Sequence, residues 1–222
     1  MRSDRDLPPS VSIQGLIEKG RGGVFMDDLS RLKIGLALTG SHCTFEDIVV
    51  VARNLVNRGA EVFPIASARA FDTDTRFGEA EHWREQIENI AQREFWHTVV
   101  QVEPIGPENL LDVVLIAPCT GNTMSKLANG ITDGPVTMAA KAHLRNRRSV
   151  VLGISTNDAL GLNAKNLGSL MAAEKVFFIP FRQDDPHAKP TSCVARWDLA
   201  GDAVKAAAEG QQLQPVLVGP PE

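Results

Sequence analysis

Apolar residues along the chain fall into short unbroken runs, separated by stretches where they recur every three or four positions. The runs are Lys33–Leu38, Glu61–Ile65, Asp112–Ala117, Ser149–Ile154 and Val176–Ile179. Continuous rather than alternating apolarity marks strands covered on both faces, as in a parallel sheet. Phe45, Ile48, Val49, Ala52, Leu55 and Val56 repeat at helical spacing and stop at Arg58-Gly59, where glycine suits a helix end. Ala80, Trp83, Ile87 and Ile90 mark a second amphipathic helix. Further helices are expected from about Thr123, over Pro135–Arg145, around Leu167–Ala173, and through Leu199, Ala200, Ala203, Val204 and Ala207. Met124, Met138, Met171 and Trp83 sit at apolar positions and are read as core. Thr98–Val102 is read as one more strand because it is rich in β-branched residues.

Strands alternating with helices across short connections predict an α/β fold. The expected architecture is a three-layer, doubly wound parallel sheet of Rossmann-like type. Residues 32–212 are read as a single domain. Residues 1–31 carry Pro8-Pro9, Gly20, Gly22 and Gly23, and are read as an extension, flexible or non-native, with Met26 as the expected true initiator. Residues 213–222, rich in Pro and Gly, are read as a tail.

Composition narrows the function without choosing it. A chain of 222 residues is long enough to bury a substantial core. Lys and Arg number 23 against 27 Asp and Glu, and the densest basic cluster is Arg145, Arg147 and Arg148, so nucleic acid is not the expected partner. No apolar run approaches a bilayer-spanning length, so no membrane partner is expected. Cys43, Cys119 and Cys193 are odd in number and lack metal-ligand spacing; no metal centre is expected, and a reducing cytoplasm fits best.

Ligands of an open parallel sheet bind outside the carboxyl ends of its strands. The segments there are Thr39-Gly40-Ser41-His42-Cys43, Ser67-Ala68-Arg69-Ala70-Phe71, Pro118-Cys119-Thr120-Gly121-Asn122-Thr123 and Ser155-Thr156-Asn157-Asp158. All are rich in small hydroxyl, amide or glycine residues, which let backbone amides approach an anion. Taken singly, each reads as a helix cap; taken together, they point to an anion site. Neither a Gly-x-x-x-x-Gly-Lys-Ser/Thr loop nor a Gly-x-Gly-x-x-Gly turn occurs, which argues against triphosphate hydrolysis and against a conventionally bound nicotinamide cofactor on this chain.

The stretch Ala117–Asp133, with Thr39-Gly40-Ser41 and Ser67-Ala68, resembles the superfamily of flavin-binding cysteine decarboxylases and flavin prenyltransferases. Pro118–Thr123 is similar to its Pro-Ala-Ser-Ala-Asn-Thr signature, and Lys126, Ala128, Gly130 and Asp133 to its Lys-x-Ala-x-Gly-x-x-Asp continuation. Segments 38–44, 73–78, 155–161 and 181–190 resemble one branch of it, and the likeness runs from about Lys33 to Val216. The resemblance implies a flavoprotein fold and an FMN-type pocket made by Gly40, Ser41, Ser67, Pro118, Cys119, Thr120, Asn122, Thr123, Ser155 and Thr156. Substrate is expected at Asn122, Lys126 and Asn157. The branch implies a homo-oligomeric component of an oxidoreductase complex, active during spore formation. The same likeness implies a small dicarboxylate as substrate, with NAD(P) held by a partner protein.

Two departures matter. The decarboxylases' His-x-x-Leu stretch is replaced by Pro104–Leu111, which has no histidine, and their Pro-Ala-Met-Asn segment by Ser155-Thr156-Asn157-Asp158. Both argue against a self-sufficient FMN-dependent decarboxylase or prenyltransferase, which stays open beside a non-catalytic assembly component. No catalytic residue is assigned. His42 is read as a hydrogen-bonding neighbour, Cys119 as packing beside the cofactor, and Cys43 and Cys193 as structural. Arg76, Arg182, Lys189 and Arg196 are equally eligible to hold a carboxylate.

Overall fold

The computed structural model describes residues 28–219, so the expectation for residues 1–27 lies outside the described residues. Five parallel strands are β1 (Lys33–Leu38), β2 (Glu61–Ala66), β3 (Val113–Cys119), β4 (Ser149–Thr156) and β5 (Val176–Phe178). A hairpin of β6 (Phe181–Asp185) and β7 (Lys189–Ala195) completes a seven-stranded sheet of order β2-β1-β3-β4-β7-β6, with β5 beside β4. β7 runs antiparallel to β4, so the sheet is mixed rather than wholly parallel. The polar stretch Arg182–Thr191 hid these strands from a reading based on apolar runs.

β4 is shared along its length. Val150, Val151 and Leu152 pair with β5, while Ser155 and Thr156 pair with Val194 and Cys193 of β7. The order turns back between β1 and β3, which places the topological switch point at their carboxyl ends.

Helices cover both faces. α1 (Phe45–Asn57), entered through a turn at His42–Thr44, buries Phe45, Ile48, Val49, Val51, Ala52 and Leu55 on one face. That face also receives Ala200, Ala203, Val204 and Ala207 of the last helix, Ala200–Ala208. The other face is covered by Val136, Ala139, Ala140 and Ala142 of helix Pro135–Leu144 and by Leu167 and Leu170 of helix Ala164–Met171. Each fully buried Leu, Ile or Phe here contributes about 1.5–3 kcal/mol.

Thr98–Val102 is helical, not a strand. The Thr98 hydroxyl accepts from Gln101 N, and Gln101 Oε1 accepts from the amides of His97 and Thr98, a reciprocal cap that outweighs β-branched propensity. The packed chain also begins before residue 32. Leu29 is buried, and Asp28 accepts two hydrogen bonds from Arg58, at 2.8 and 2.7 Å. At the other end Val216 packs on the core and Leu217 bridges Phe181, so ordered contacts continue past residue 212.

Candidate functional site at the strand tips

Threonine and serine hydroxyls, with one backbone bond, knit the carboxyl ends of β1, β2, β3 and β4 together. Thr39 Oγ1 donates to Pro118 O at 2.6 Å and accepts from Thr120 N at 3.1 Å, joining the loops on either side of the switch point. Ser67 N donates to Leu38 O, which ties in the end of β2. Ser41 Oγ and Ser155 Oγ lie 2.8 Å apart and bring in β4.

Two of these hydroxyls are also helix caps. Ser67 Oγ accepts from Ala70 N, and Thr120 Oγ1 accepts from Thr123 N at the start of helix Gly121–Ala128. Capping and ligand contact are compatible for Ser67. The cap engages a lone pair and leaves the hydroxyl proton free to donate.

Gly121, the first residue of that helix, is fully enclosed. A Cβ there would meet the Asp158 carboxylate, Thr156 Oγ1 at 2.7 Å and Asn163 Nδ2 at 2.8 Å. Asp158 is held by Thr156 Oγ1 and Asn163 Nδ2, both at 2.6 Å, and Asn163 accepts in turn from Asn166. This buried polar chain fixes the start of the helix and with it Asn122, whose exposed amide has no hydrogen-bond partner among the described residues.

Asn122 stands between two clefts. The first, about 550 Å³, is lined by Thr39 and Gly40, by Ser67–Arg69, by Thr120, Thr123 and Lys126, and by residues 133–137. Arg69 and Lys126 bring positive charge, and Lys126 pairs with Asp133 at 2.7 Å, which holds that carboxyl below its usual range. The second cleft, about 670 Å³, is lined by Gly40, Ser41, Cys43 and Asp47, by Thr120–Asn122, by Ser155–Asp158, and by Asp184, Lys189 and Ser192–Val194 of the hairpin. Desolvation, with Glu46 nearby, raises the Asp47 carboxyl. Lys189 pairs with Asp184 at 2.7 Å, which raises its ammonium.

The residues named from sequence therefore divide. Gly40, Thr120 and Asn122 face both clefts; Ser67, Thr123 and Lys126 face the first; Ser41, Ser155, Thr156 and Asn157 face the second. Pro118 and Cys119 line neither, being the buried end of β3, and burial pushes the Cys119 thiol up to about 12. His42 packs against Phe45 at a tilt of 41° and hydrogen-bonds Arg69 O, outside both clefts. Arg76 lies over Phe77 and Arg196 pairs with Asp198. Arg69, Asp47, Asp184 and Ser192 were not singled out from sequence. Arg69 alone carried a signal, as the cation two residues after Ser67; the hairpin residues depend on a strand pairing that sequence does not display.

A family model described as Flavoprotein matches residues 26–212. The chain is 53% identical over 193 residues to the B subunit of dipicolinate synthase from Bacillus subtilis, covering 87% of this chain and 96% of that one. The crystal structure of the B subunit of dipicolinate synthase from Bacillus halodurans superposes with a TM-score of 0.80 at 47% identity, covering 86% of this chain and 98% of that one. The FMN binding protein AtHal3 shares the fold, at 17% identity and a TM-score of 0.60 over 82% of this chain and all of that one (100%).

Proposed function

The chain belongs to the flavoprotein family, and from that membership we propose that it serves as the B subunit of a dipicolinate synthase. In this reading it takes part in oxidising dihydrodipicolinate to dipicolinate, in the cytoplasm of a sporulating cell. NAD(P) is held by a partner, the A subunit of the same synthase, and the chain itself forms a homo-oligomer. The likeness to the two Bacillus proteins supports the assignment over nearly their whole length.

The observation that carries a cofactor role is the placement of Asn122 between two clefts at the switch point. The first cleft suits the phosphoryl end of FMN. It offers Arg69, Lys126 and the free Ser67 proton, and its volume is within the range of small-molecule sites. A bound flavin would supply two-electron redox capacity there. The chain's own part is to hold the anion with Arg69 and Lys126, to orient the reacting face with Asn122, and to keep Asn122 in place through Gly121 and Asp158. Segment 104–111, where the decarboxylases carry their histidine, lines neither cleft, which weighs against a self-sufficient decarboxylase.

Two measurements test the reading. Titrating the purified chain with FMN should quench flavin fluorescence saturably, and replacing Arg69 and Ser67 with Ala should weaken that binding by about tenfold or more. Co-expression with a candidate A subunit should give dipicolinate formation that neither chain supports alone. Asn122→Ala should lower that activity by about tenfold or more. Full activity in the Asn122→Ala complex would favour a purely structural role instead.

A further inference from the structure

We propose that the second cleft is a carboxylate subsite, in which Lys189 exchanges Asp184 for one carboxylate of the substrate while Ser192 and the one free hydroxyl of the Ser41–Ser155 pair donate protons to it. The inference rests on the reading of the substrate as a dicarboxylate. It goes further by choosing among the four cations that the sequence left equal.

Of Arg76, Arg182, Lys189 and Arg196, Lys189 is the one that lines a cleft at the strand tips. Its partner Asp184 lies on the facing strand of the same hairpin, and both side chains are substantially exposed, at 57% and 37%. An exposed ion pair is weak and exchanges readily with a competing anion.

The cleft wall behind it is built from hydroxyls. Val194 pairs with Ser155, so alternation along β7 puts Ser192 on the same face as Ser155 and hence beside Ser41. Ser192 is 4% exposed, lines the cleft, and its hydroxyl has no hydrogen-bond partner among the described residues. Its Oγ is not among the buried atoms left without a partner, so it opens to the cleft, where its proton is free to meet an acceptor other than water. A carboxylate oxygen is such an acceptor.

Charge sets the selectivity. Asp47, Asp158 and Asp184 line the cleft against Lys189 alone. Asp158 is already engaged by Thr156 and Asn163, and Asp184 by Lys189. An anion enters only by taking Lys189 from Asp184. Asp184 therefore acts as a brake on anion binding, and the first cleft, with Arg69 and Lys126, stays the place for the phosphoryl group.

The test is calorimetric titration of the full chain with pyridine-2,6-dicarboxylate, and separately with succinate. Folding of each variant is checked by thermal melting. Lys189→Ala should weaken binding about tenfold and Ser192→Ala about threefold, whereas Asp184→Asn should tighten it about threefold. Unchanged affinity in both Lys189→Ala and Asp184→Asn overturns the subsite while leaving the dipicolinate reading intact. Binding of succinate but not of pyridine-2,6-dicarboxylate, lost in Lys189→Ala, keeps the subsite and overturns the assigned substrate. If neither compound binds the wild-type chain or its complex with the A subunit, the subsite is overturned, and the activity of the complex judges the reading separately.

Discussion

Gly121 shows how much one missing Cβ can organise. The space beside it holds the Asp158 carboxylate, Thr156 and Asn163, and Thr156 and Asn163 both donate to that carboxylate. Gly121→Ala should cost about 1–3 kcal/mol in urea denaturation, the usual penalty of overpacking, and should move Asn122 with it. The cysteines give a second check at this scale. Cys119 is buried with its thiol raised to about 12, Cys193 is buried and raised by the same desolvation, and Cys43 is exposed. A thiol reagent at pH 8 should therefore modify Cys43 in the folded protein and reach the other two only after denaturation. Fast reaction of Cys119 would contradict its burial. The small residues at these strand tips were legible in the sequence because the topology rule says where to look. Their division between two clefts was not, since it depends on Asn122 and Gly121 sitting at a helix start flanked by different neighbours.

Elements with one decisive local signal were legible, and elements with two competing signals were not. β1, β3 and β4 show uninterrupted burial on both faces, and α1 shows a clean helical stripe, so periodicity alone placed them. In Thr98–Val102 the β-branched residues and the Thr98–Gln101 cap pointed in opposite directions, and the cap prevailed. The hairpin carries Gln183, Asp184, Asp185 and Lys189 along a half-exposed sheet edge, where apolar content says little. The start of the packed chain was hidden for an electrostatic reason. Asp28 joins the ends of two helices through Arg58 and Lys205, with Asp202 also on Arg58. The Arg58 hydrogen bonds draw the Asp28 carboxyl down from 3.8 to about 2. A depressed carboxyl stabilises the fold above the unfolded value and loses that contribution as pH falls through the folded one. Asp28→Asn should thus cost about 1–2 kcal/mol at pH 7, with the difference from wild type closing between pH 4 and pH 2.

Across the whole molecule, acid should act first through His143. It is buried beneath the sheet, donates from Nε2 to Asp112 O at 3.2 Å, and desolvation takes its pKa from 6.5 to about 4. The unfolded chain binds that proton more readily, so stability should fall as pH drops from 6.5 towards 4 and level off below. His143→Gln should flatten this limb of a melting-temperature profile, and an unchanged limb would place its origin elsewhere. At this scale the sequence conveyed the alternation of strands and helices but not the antiparallel closure. A polar hairpin pairs with the end of β4 that β5, three residues long, leaves uncovered.

That shared strand has a kinetic consequence. Ser155 and Thr156 are the residues of β4 paired with the hairpin, and beyond that two-residue zipper β6 and β7 are held at one corner of the sheet by Leu160 N on Thr191 O, Thr191 Oγ1 on Asn157 O and Phe181 against residues 216–218. Opening that zipper leaves the parallel strands in register, so deuterium should enter the amides of 182–194 well before those of β3. A small acid that grips Lys189 and Ser192 together would slow this uptake, making the corner a built-in reporter of occupancy.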